Sequence, residues 1–467
     1  MAIACDLIIS AAMTQPISMP LWAFVLIVLF AAVTFASHFL FPSVRWFFRK
    51  RAERVIARVN ERLQRPIEPF KLARRYDMIQ RLIYDPEITE AIVEHAREFD
   101  VPENVAFEQA KKYAREIVPS FSATAYFTIG TRLAKWLSRA FYRIRLGTFD
   151  RDALEALDAD ATVIFVMNHR SNMDYVLVTY LVSRAGALSY AVGEWARVWP
   201  LSSMIRMMGA YFIRRRSRGQ LYRRVLARYV QMATQGGVTQ AMFPEGGLSL
   251  TGAVGEPKLG LLNYIVSSYK PEGRDVIFVP VGLNYDRVFE DRFLVAAHES
   301  GKRKFRPPFM TVIHGIWTYL LDRVTKRTRG FGTASVGFGK PLHLSAFSGD
   351  DLDAKTEAIA AELMDRVRAV VPVLATPLIA HVLVTDGASS RSALADGVRA
   401  RLEMLKSKDM PLPRKEVGAL VEDTLKPLLA RGFVVEKDGE ISIQPEGAGV
   451  VAYYANTIAH HFSASAK

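Results

Sequence analysis

Residues 163–175 read Val-Ile-Phe-Val-Met-Asn-His-Arg-Ser-Asn-Met-Asp-Tyr. An apolar run stops at His169, and Asp174 follows five residues later. Histidine is the side chain whose ordinary pKa lies closest to neutrality. A carboxylate folded back onto it fixes its tautomer and stabilises its charged form, and the pair is then a general base. Asp174 also opens a helical pattern, where a carboxylate is favoured. Taken alone, the pair fits equally well a surface histidine beside an N-cap aspartate.

Three later segments also end apolar runs with polar groups. Gly209-Ala-Tyr-Phe-Ile-Arg-Arg-Arg216 finishes on arginines, among them Arg214 and Arg215. Arginines at a strand end grip a phosphate bidentately, or else form a solvated basic loop. Phe243-Pro-Glu-Gly-Gly-Leu-Ser-Leu-Thr-Gly252 sets Glu245, Gly246 and Gly247 at a strand mouth. Glycines there let backbone N–H groups approach a substrate oxygen. An ordinary strand-to-helix turn has the same composition. Val279-Pro-Val-Gly-Leu-Asn-Tyr-Asp-Arg-Val288 repeats the design with Asp286 and Arg287.

In this order the four segments resemble the glycerolipid acyltransferase family, nearest its membrane-bound glycerol-3-phosphate and dihydroxyacetone-phosphate acyltransferases. His169–Asp174 matches His-x-x-x-x-Asp. Gly209–Arg215 matches Gly-Ala-x-Phe-Ile-Arg-Arg. Phe243–Ser249 with Pro257-Lys258-Leu259-Gly260 matches the third motif, and Pro280 with Tyr285–Val288 the fourth. Tyr453, Tyr454, Asn456 and His460 look like the family's Tyr-Tyr-x-Asn-x-x-x-His ending. The resemblance runs from about Arg74 to the C-terminus. It implies transfer of an acyl group from acyl-CoA or acyl-carrier protein to the hydroxyl of glycerol 3-phosphate, in phospholipid synthesis. It assigns His169 as base, Asp174 as its orienting carboxylate, and Glu245, Gly246 and Gly247 to the reacting region. Arg214, Arg215, Lys258 and Arg287 would hold the acceptor phosphate. No metal or redox cofactor is implied.

This chain departs from the family at Leu248 and Leu250, where the third motif normally carries arginine, and at Asn172, often histidine. A lysophosphatidate acyltransferase is therefore an alternative, because its already acylated acceptor suits a less polar grip. Gly247-Leu-Ser249-Leu-Thr251 nearly matches the serine-hydrolase elbow but lacks its last glycine. A noncatalytic lipid-binding membrane protein is a third reading.

Positioning these segments requires short buried strands alternating with helices. Thr162–Met167, Leu188–Val192, Ala210–Ile213, Val238–Phe243, Val276–Leu283 and Ser335–Phe338 read as strands. Residues 174–184, 201–208, 221–232 and 258–268 read as helices between them. The expected fold is α/β: a mixed-sheet acyltransferase domain over 151–375, with flanking helices and loops at strand ends carrying the site. Residues 51–150 read as a helical region. Its last helix, Thr131–Leu146, carries Arg132, Lys135, Arg139 and Arg143 on one face, suited to an anionic membrane surface or to solvent. Residues 376–467 read as a small domain of two helices and a hairpin turning at Asp438-Gly439, resembling a winged helix.

The chain has 467 residues, half of them hydrophobic, with a net charge of +14 and one cysteine, Cys5. Disorder, a disulfide framework and a cysteine metal site are excluded. Residues 20–41 contain no Asp, Glu, Lys or Arg, and their length matches a bilayer core. Arg45, Arg49, Lys50, Arg51 and Arg54 follow at once. Residues 1–50 thus read as a tail, one transmembrane helix and a basic flank. The positive-inside rule places the catalytic domain in the cytoplasm, at the inner membrane. Expected partners are membrane lipid and an anionic acyl thioester, with no nucleic acid.

Overall fold

The structure is a computed structural model. It describes residues 19–61, 63–183, 186–193, 197, 201–214, 219–301, 330–387, 389–408 and 410–463. Two compact units divide after Val59. The first contains one long helix, Leu21–Asn60. Leu21, Trp22, Phe24, Leu26, Leu29, Phe30 and Phe35 on it are exposed. Among the described residues no helix is long and apolar enough to cross a membrane.

The second unit is built on a mixed eight-stranded sheet. Its strands are β1 (Arg143–Phe149), β2 (Thr162–Met167), β3 (Ser189–Gly193), β4 (Tyr211–Ile213), β5 (Gln240–Met242), β6 (Val276–Tyr285), β7 (Thr333–Phe338) and β8 (Leu342–His343). The order is β1-β7-β6-β2-β5-β3-β4, with β8 also on β6. Strands β2 to β6 run parallel; β7 opposes β6, and β1 runs with β7. Parallel strands buried on both faces read as unbroken apolar runs, which is what Thr162–Met167 shows. Val163, Phe165 and Met167 enter one core layer with the helix Met173–Val182 and the C-terminal helices. Ile164 and Val166 enter the opposite layer, with the helices Pro86–Glu98, Glu103–Ile117, Gln220–Gln235 and Leu352–Ala369.

The helix expected over 131–146 ends at Phe141, and Arg143 to Phe149 instead form β1. The basic face is thereby split: Arg132, Lys135 and Arg139 stay on the helix, and Arg143 lies in the strand. The pairing of Arg143 to Leu146 with Thr333 to Val336 overrides the local period. The C-terminal helices Arg391–Lys406 and Val417–Ala430 precede a hairpin of β10 (Val434–Lys437) and β11 (Glu440–Ile443), and β9 (Ser389–Ser390) pairs with β11. Both central residues of the turn, Asp438 and Gly439, have positive φ, as a tight two-residue hairpin turn requires.

The C-terminal helix Ala448–Asn456 closes over the segment after β5. Asn456 Nδ2 donates to Thr251 O at 3.0 Å. Gly252 has φ +85°, and a Cβ there would lie 1.9 Å from Tyr453 O. Gly252→Ala is expected to lower stability by about 2 kcal/mol or more, from overpacking plus backbone strain. A shift in the midpoint of chemical denaturation reads it. An unchanged midpoint would show that this helix yields without cost.

Candidate active site

Strand β2 delivers His169 to the carboxyl edge of the sheet, where parallel α/β sheets carry their sites. Asn168, one residue earlier, clamps that end to β6: its Nδ2 donates to Leu283 O at 2.9 Å, and its Oδ1 accepts from Leu283 N at 2.7 Å. The His169 ring stacks on Phe243 at 4.1 Å and meets Tyr175 edge-on at 5.5 Å. Its Nδ1 lies 2.9 Å from Asp174 Oδ2. Asp174 has no exposed surface and opens the helix Met173–Val182. Besides the ring, its Oδ2 accepts the N–H of Arg170 at 2.7 Å and of Ser171 at 3.1 Å. Its Oδ1 accepts the Tyr285 hydroxyl at 2.6 Å. Burial, then the charge of Asp174, pushes the Tyr285 hydroxyl well above its ordinary pKa, so it remains a donor. A carboxylate only accepts hydrogen bonds, so Asp174 faces the Nδ1–H of the ring and leaves Nε2 as the accepting nitrogen.

Removing one donor tests this network. Tyr285→Phe is expected to slow turnover about tenfold, by loosening Asp174 and with it the ring orientation. The matching readout is kcat with both KM values unchanged; altered KM values alone would show that Tyr285 contacts a substrate instead.

Glu245 does not face outward. Its Oε1 accepts His169 N at 2.9 Å and its Oε2 accepts Gly255 N at 3.1 Å. Burial raises its pKa, and the nearby Arg170 guanidinium and the two N–H groups act against that rise. Arg170 itself is fully buried, and its guanidinium nitrogens have no hydrogen-bond partner among the described residues. Because the folded pKa of Glu245 lies above the ordinary glutamate value of 4.5, the native state keeps this proton where the unfolded state has lost it. That stabilising contribution is complete below 4.5 and disappears as pH rises through the raised value. Glu245→Gln is therefore expected to flatten the decline of melting temperature with rising pH across this window; an unaltered slope would contradict the assignment.

Gly246, with φ +66°, makes the turn after Glu245, and its N–H donates to Phe243 O at 3.0 Å. Gly247 is half-buried in the same turn. Lys258 folds over it: a Cβ at Gly246 would lie 2.7 Å from Lys258 Cδ. Leu248 and Leu250 pack against the core layer that also holds Phe243. The Ser249 hydroxyl closes the turn, donating to Ala253 O at 2.7 Å and accepting Gly252 N at 3.1 Å. It is thus engaged away from the His169 ring, against the serine-hydrolase reading.

The basic residues divide. Arg214 sits beyond β4 and binds Glu116 through Nε at 2.7 Å and Nη2 at 2.6 Å, with its guanidinium over Tyr113 and Tyr222. Arg287 lies over the Phe331 ring at 4.3 Å, and burial then the charge of Arg431 lowers its pKa. Arg215 lies outside the described residues. Asp286 spends its carboxylate on Thr333 N and Thr376 N, joining β6 to β7 and to the helix Ala375–Asp386. Glu290, missed in the sequence, accepts from the Ser171 hydroxyl at 2.7 Å and from Asn172 N and Nδ2, and so holds the loop between His169 and Asp174. Asn168 directly precedes the first motif and Tyr285 lies in the fourth, so both were open to inference; Glu116 and Glu290 carry no local signal.

Residues 150–284 match the acyltransferase family model, and residues 319–466 match that of the glycerol-3-phosphate acyltransferase C-terminal region. The chain thus carries an acyltransferase domain followed by a glycerol-3-phosphate acyltransferase C-terminal region. A glycerol-3-phosphate acyltransferase of Haemophilus ducreyi is 30% identical over 423 residues, 84% of this chain and 50% of that protein. One of Shewanella amazonensis is 29% identical over 443 residues, 87% of this chain and 53% of its own. The chain spans about half the length of the curated relatives it matches. A solved 1-acyl-sn-glycerophosphate acyltransferase of Thermotoga maritima aligns with 56% of this chain and 83% of its own, at 18% identity and a TM-score of 0.32. Within this family's motifs, the first, third and fourth segments meet around Asp174 and Glu245. Arg214 of the second turns instead to Glu116.

Proposed function

We propose that this chain is an acyltransferase that moves a fatty acyl group from a thioester to the hydroxyl of glycerol 3-phosphate. The observation that carries the reading is the His169–Asp174 pair, with Asp174 held by four donors and Nε2 left basic. His169 Nε2 takes the proton as the hydroxyl oxygen attacks the thioester carbonyl carbon. The C–O bond forms, the C–S bond breaks, and the proton passes to the departing thiolate. Asp174 holds the imidazole in one tautomer and stabilises its positive charge. Glu245 and Glu290 act as positioning residues through the backbone on either side of the base. Lys258, exposed at the turn of Gly246 and Gly247, is the cation of the third segment for the acceptor phosphate. The donor is acyl-CoA or acyl-carrier protein, both anionic like the acceptor and matched to a basic chain.

The packing of Leu248 and Leu250 into the core favours a second acceptor, lysophosphatidate, over a strongly polar grip at those positions. Purified protein given labelled acyl thioester and equal glycerol 3-phosphate, dihydroxyacetone phosphate or lysophosphatidate decides between them. Preference for glycerol 3-phosphate supports the first reading, equal or faster use of lysophosphatidate replaces it, and no turnover with any acceptor favours a lipid-binding role.

The exposed apolar side chains at the start of the helix Leu21–Asn60, followed by Lys50, Arg51 and Arg54, support anchoring at the inner membrane with the catalytic unit on the cytoplasmic side. The C-terminal helices and hairpin serve as a winged-helix-like buttress of the site rather than a nucleic-acid reader. Their core is continuous with the sheet layer that holds the base. Removing residues 1–44 should move the protein from the membrane fraction to the supernatant; persistence in membranes would place the attachment elsewhere.

A further inference from the structure

The third segment clamps the backbone of His169 from both sides. Glu245 Oε1 accepts His169 N at 2.9 Å, and Ser249 N donates to His169 O at 2.9 Å. The other Glu245 oxygen, Oε2, is taken by Gly255 N. A protonated carboxyl turns one of these acceptors into an O–H donor, which then meets an N–H instead of a free proton. One bond of the clamp is lost whenever Glu245 is neutral.

Three carboxylates support the loop of the base, and they are unequally supplied with donors. Asp174 has four, and Glu290 has the Ser171 hydroxyl, Asn172 N and Asn172 Nδ2. Glu245 has only its two backbone N–H groups, while burial works against its charge. The strongest influence opposing that burial is the charge of Arg170.

Arg170 contributes little to the fold by itself. Its side chain is fully buried, and Nε, Nη1 and Nη2 have no hydrogen-bond partner among the described residues. A charge held in this way opposes folding. The C-terminal helix Ala448–Asn456 seals it in: the Tyr453 hydroxyl lies 3.5 Å from Arg170 O, and Asn456 Nδ2 holds Thr251 O at 3.0 Å. Tyr453 and His460 both feel the Arg170 charge, and neither answers it. Burial raises the Tyr453 hydroxyl, which stays neutral. Burial, then His461, pushes the His460 ring down to about 3, and its Nε2 donates to Arg368 O at 2.8 Å. Besides Arg170, the charged groups facing Glu245 are His169, when protonated, and Lys258, which folds over the Gly246 turn with its side chain exposed.

We propose that Arg170 is a positioning residue for the base: sealed under the C-terminal helix, its charge holds Glu245 as a two-sided acceptor and so fixes the backbone of His169. The C-terminal helix thereby takes part in catalysis at one remove, because a guanidinium opened to water acts far more weakly on a neighbouring carboxylate. The effect on turnover rests on the acyl-transfer reading above; the coupling of Arg170 to Glu245 does not.

Arg170→Met and Arg170→Lys test it on the full chain, each alone and beside Glu245→Gln; should Arg170→Met fail to melt cooperatively, Arg170→Gln takes its place. Without the cation, burial acts on Glu245 unopposed and its pKa rises further. With acyl-CoA and glycerol 3-phosphate, Arg170→Met should lower kcat about tenfold at about pH 6 and less than about threefold at about pH 8, with both KM values unchanged. Arg170→Lys should recover most of the loss at the lower pH. Beside Glu245→Gln, Arg170→Met should leave the pH profile as it finds it, because an amide does not titrate. A profile change that persists beside Glu245→Gln would mean that Arg170 acts on the imidazole directly, and overturns the inference. So does a kcat lowered by one factor at every pH, the mark of a merely structural role.

Thermal melting separates the coupling from the function. The stability that Glu245 contributes while protonated is lost as pH rises through its folded pKa, so in Arg170→Met the decline of melting temperature should extend to higher pH than in wild type. Beside Glu245→Gln that extension should vanish. If no acceptor is turned over and the extension appears as described, the acyl-transfer reading fails and the coupling stands; an unextended decline removes the coupling.

Discussion

His169→Ala is expected to abolish acyl transfer, lowering kcat by about 10³-fold, while the fold persists. A positioned general base contributes on the order of 10²–10⁴-fold, and no other imidazole is hydrogen-bonded to Asp174 among the described residues. The structural cost is limited. Removing the ring loses the stack on Phe243 and one of the four donors to Asp174, whose remaining bonds to Arg170 N, Ser171 N and Tyr285 still satisfy the carboxylate. The backbone N–H of residue 169 still meets Glu245, because that bond does not use the side chain. The check is release of thiol from labelled donor by purified protein, beside circular dichroism and a melting curve. A variant that melts normally and keeps more than a tenth of wild-type turnover would remove His169 from the mechanism.

Asp174→Asn is expected to be nearly as damaging, with kcat down about 10³-fold, and it should also lower stability. An amide offers one acceptor oxygen and two N–H donors where the carboxylate accepts on both sides. Asp174 Oδ2 faces three donors and Oδ1 faces the Tyr285 hydroxyl. Whichever way the amide turns, its NH₂ meets a donor. If the amide oxygen keeps the backbone N–H groups, Tyr285 must rotate its proton away. If the oxygen turns to Tyr285, the imidazole flips or loses its Nδ1 proton, and Nε2 no longer accepts from the substrate. Leaving a buried donor unmet costs about 1–3 kcal/mol, which a denaturation midpoint detects. Wild-type turnover with wild-type stability would mean that Asp174 neither orients nor stabilises the imidazole. A normal kcat with a lowered midpoint would leave it a purely structural role.

Much of the site was open to reading from single segments. His169 and Asp174 lie five residues apart, so one loop and one helical turn bring them together whatever the rest of the chain does. The turn at Asp438-Gly439 is equally local, because positive φ at two successive residues admits few side chains. The strand Thr162–Met167 announced itself because burial on both faces demands an uninterrupted apolar run. The edge strand Arg143–Phe149 did not. Its first residues continue the helical period of the segment before it, and only pairing with Thr333–Phe338 fixes them as extended.

The chain's own order of residues determined which groups are present: a histidine at a strand end, an aspartate five residues on, a glutamate and glycines after a second strand, arginines after a third. Tertiary structure decided what each group does. Glu245, which in sequence reads as aimed at a substrate, turns inward to the backbone of His169, 76 residues away. Arg214, which reads as a phosphate grip, is taken by Glu116, 98 residues away, and Tyr285 reaches Asp174 across 111. Local patterns of burial and φ are set by neighbours in the chain and can be read there. The partner that satisfies a buried charge is chosen among groups brought near only when the sheet closes, because desolvation makes any unmet charge too costly to leave.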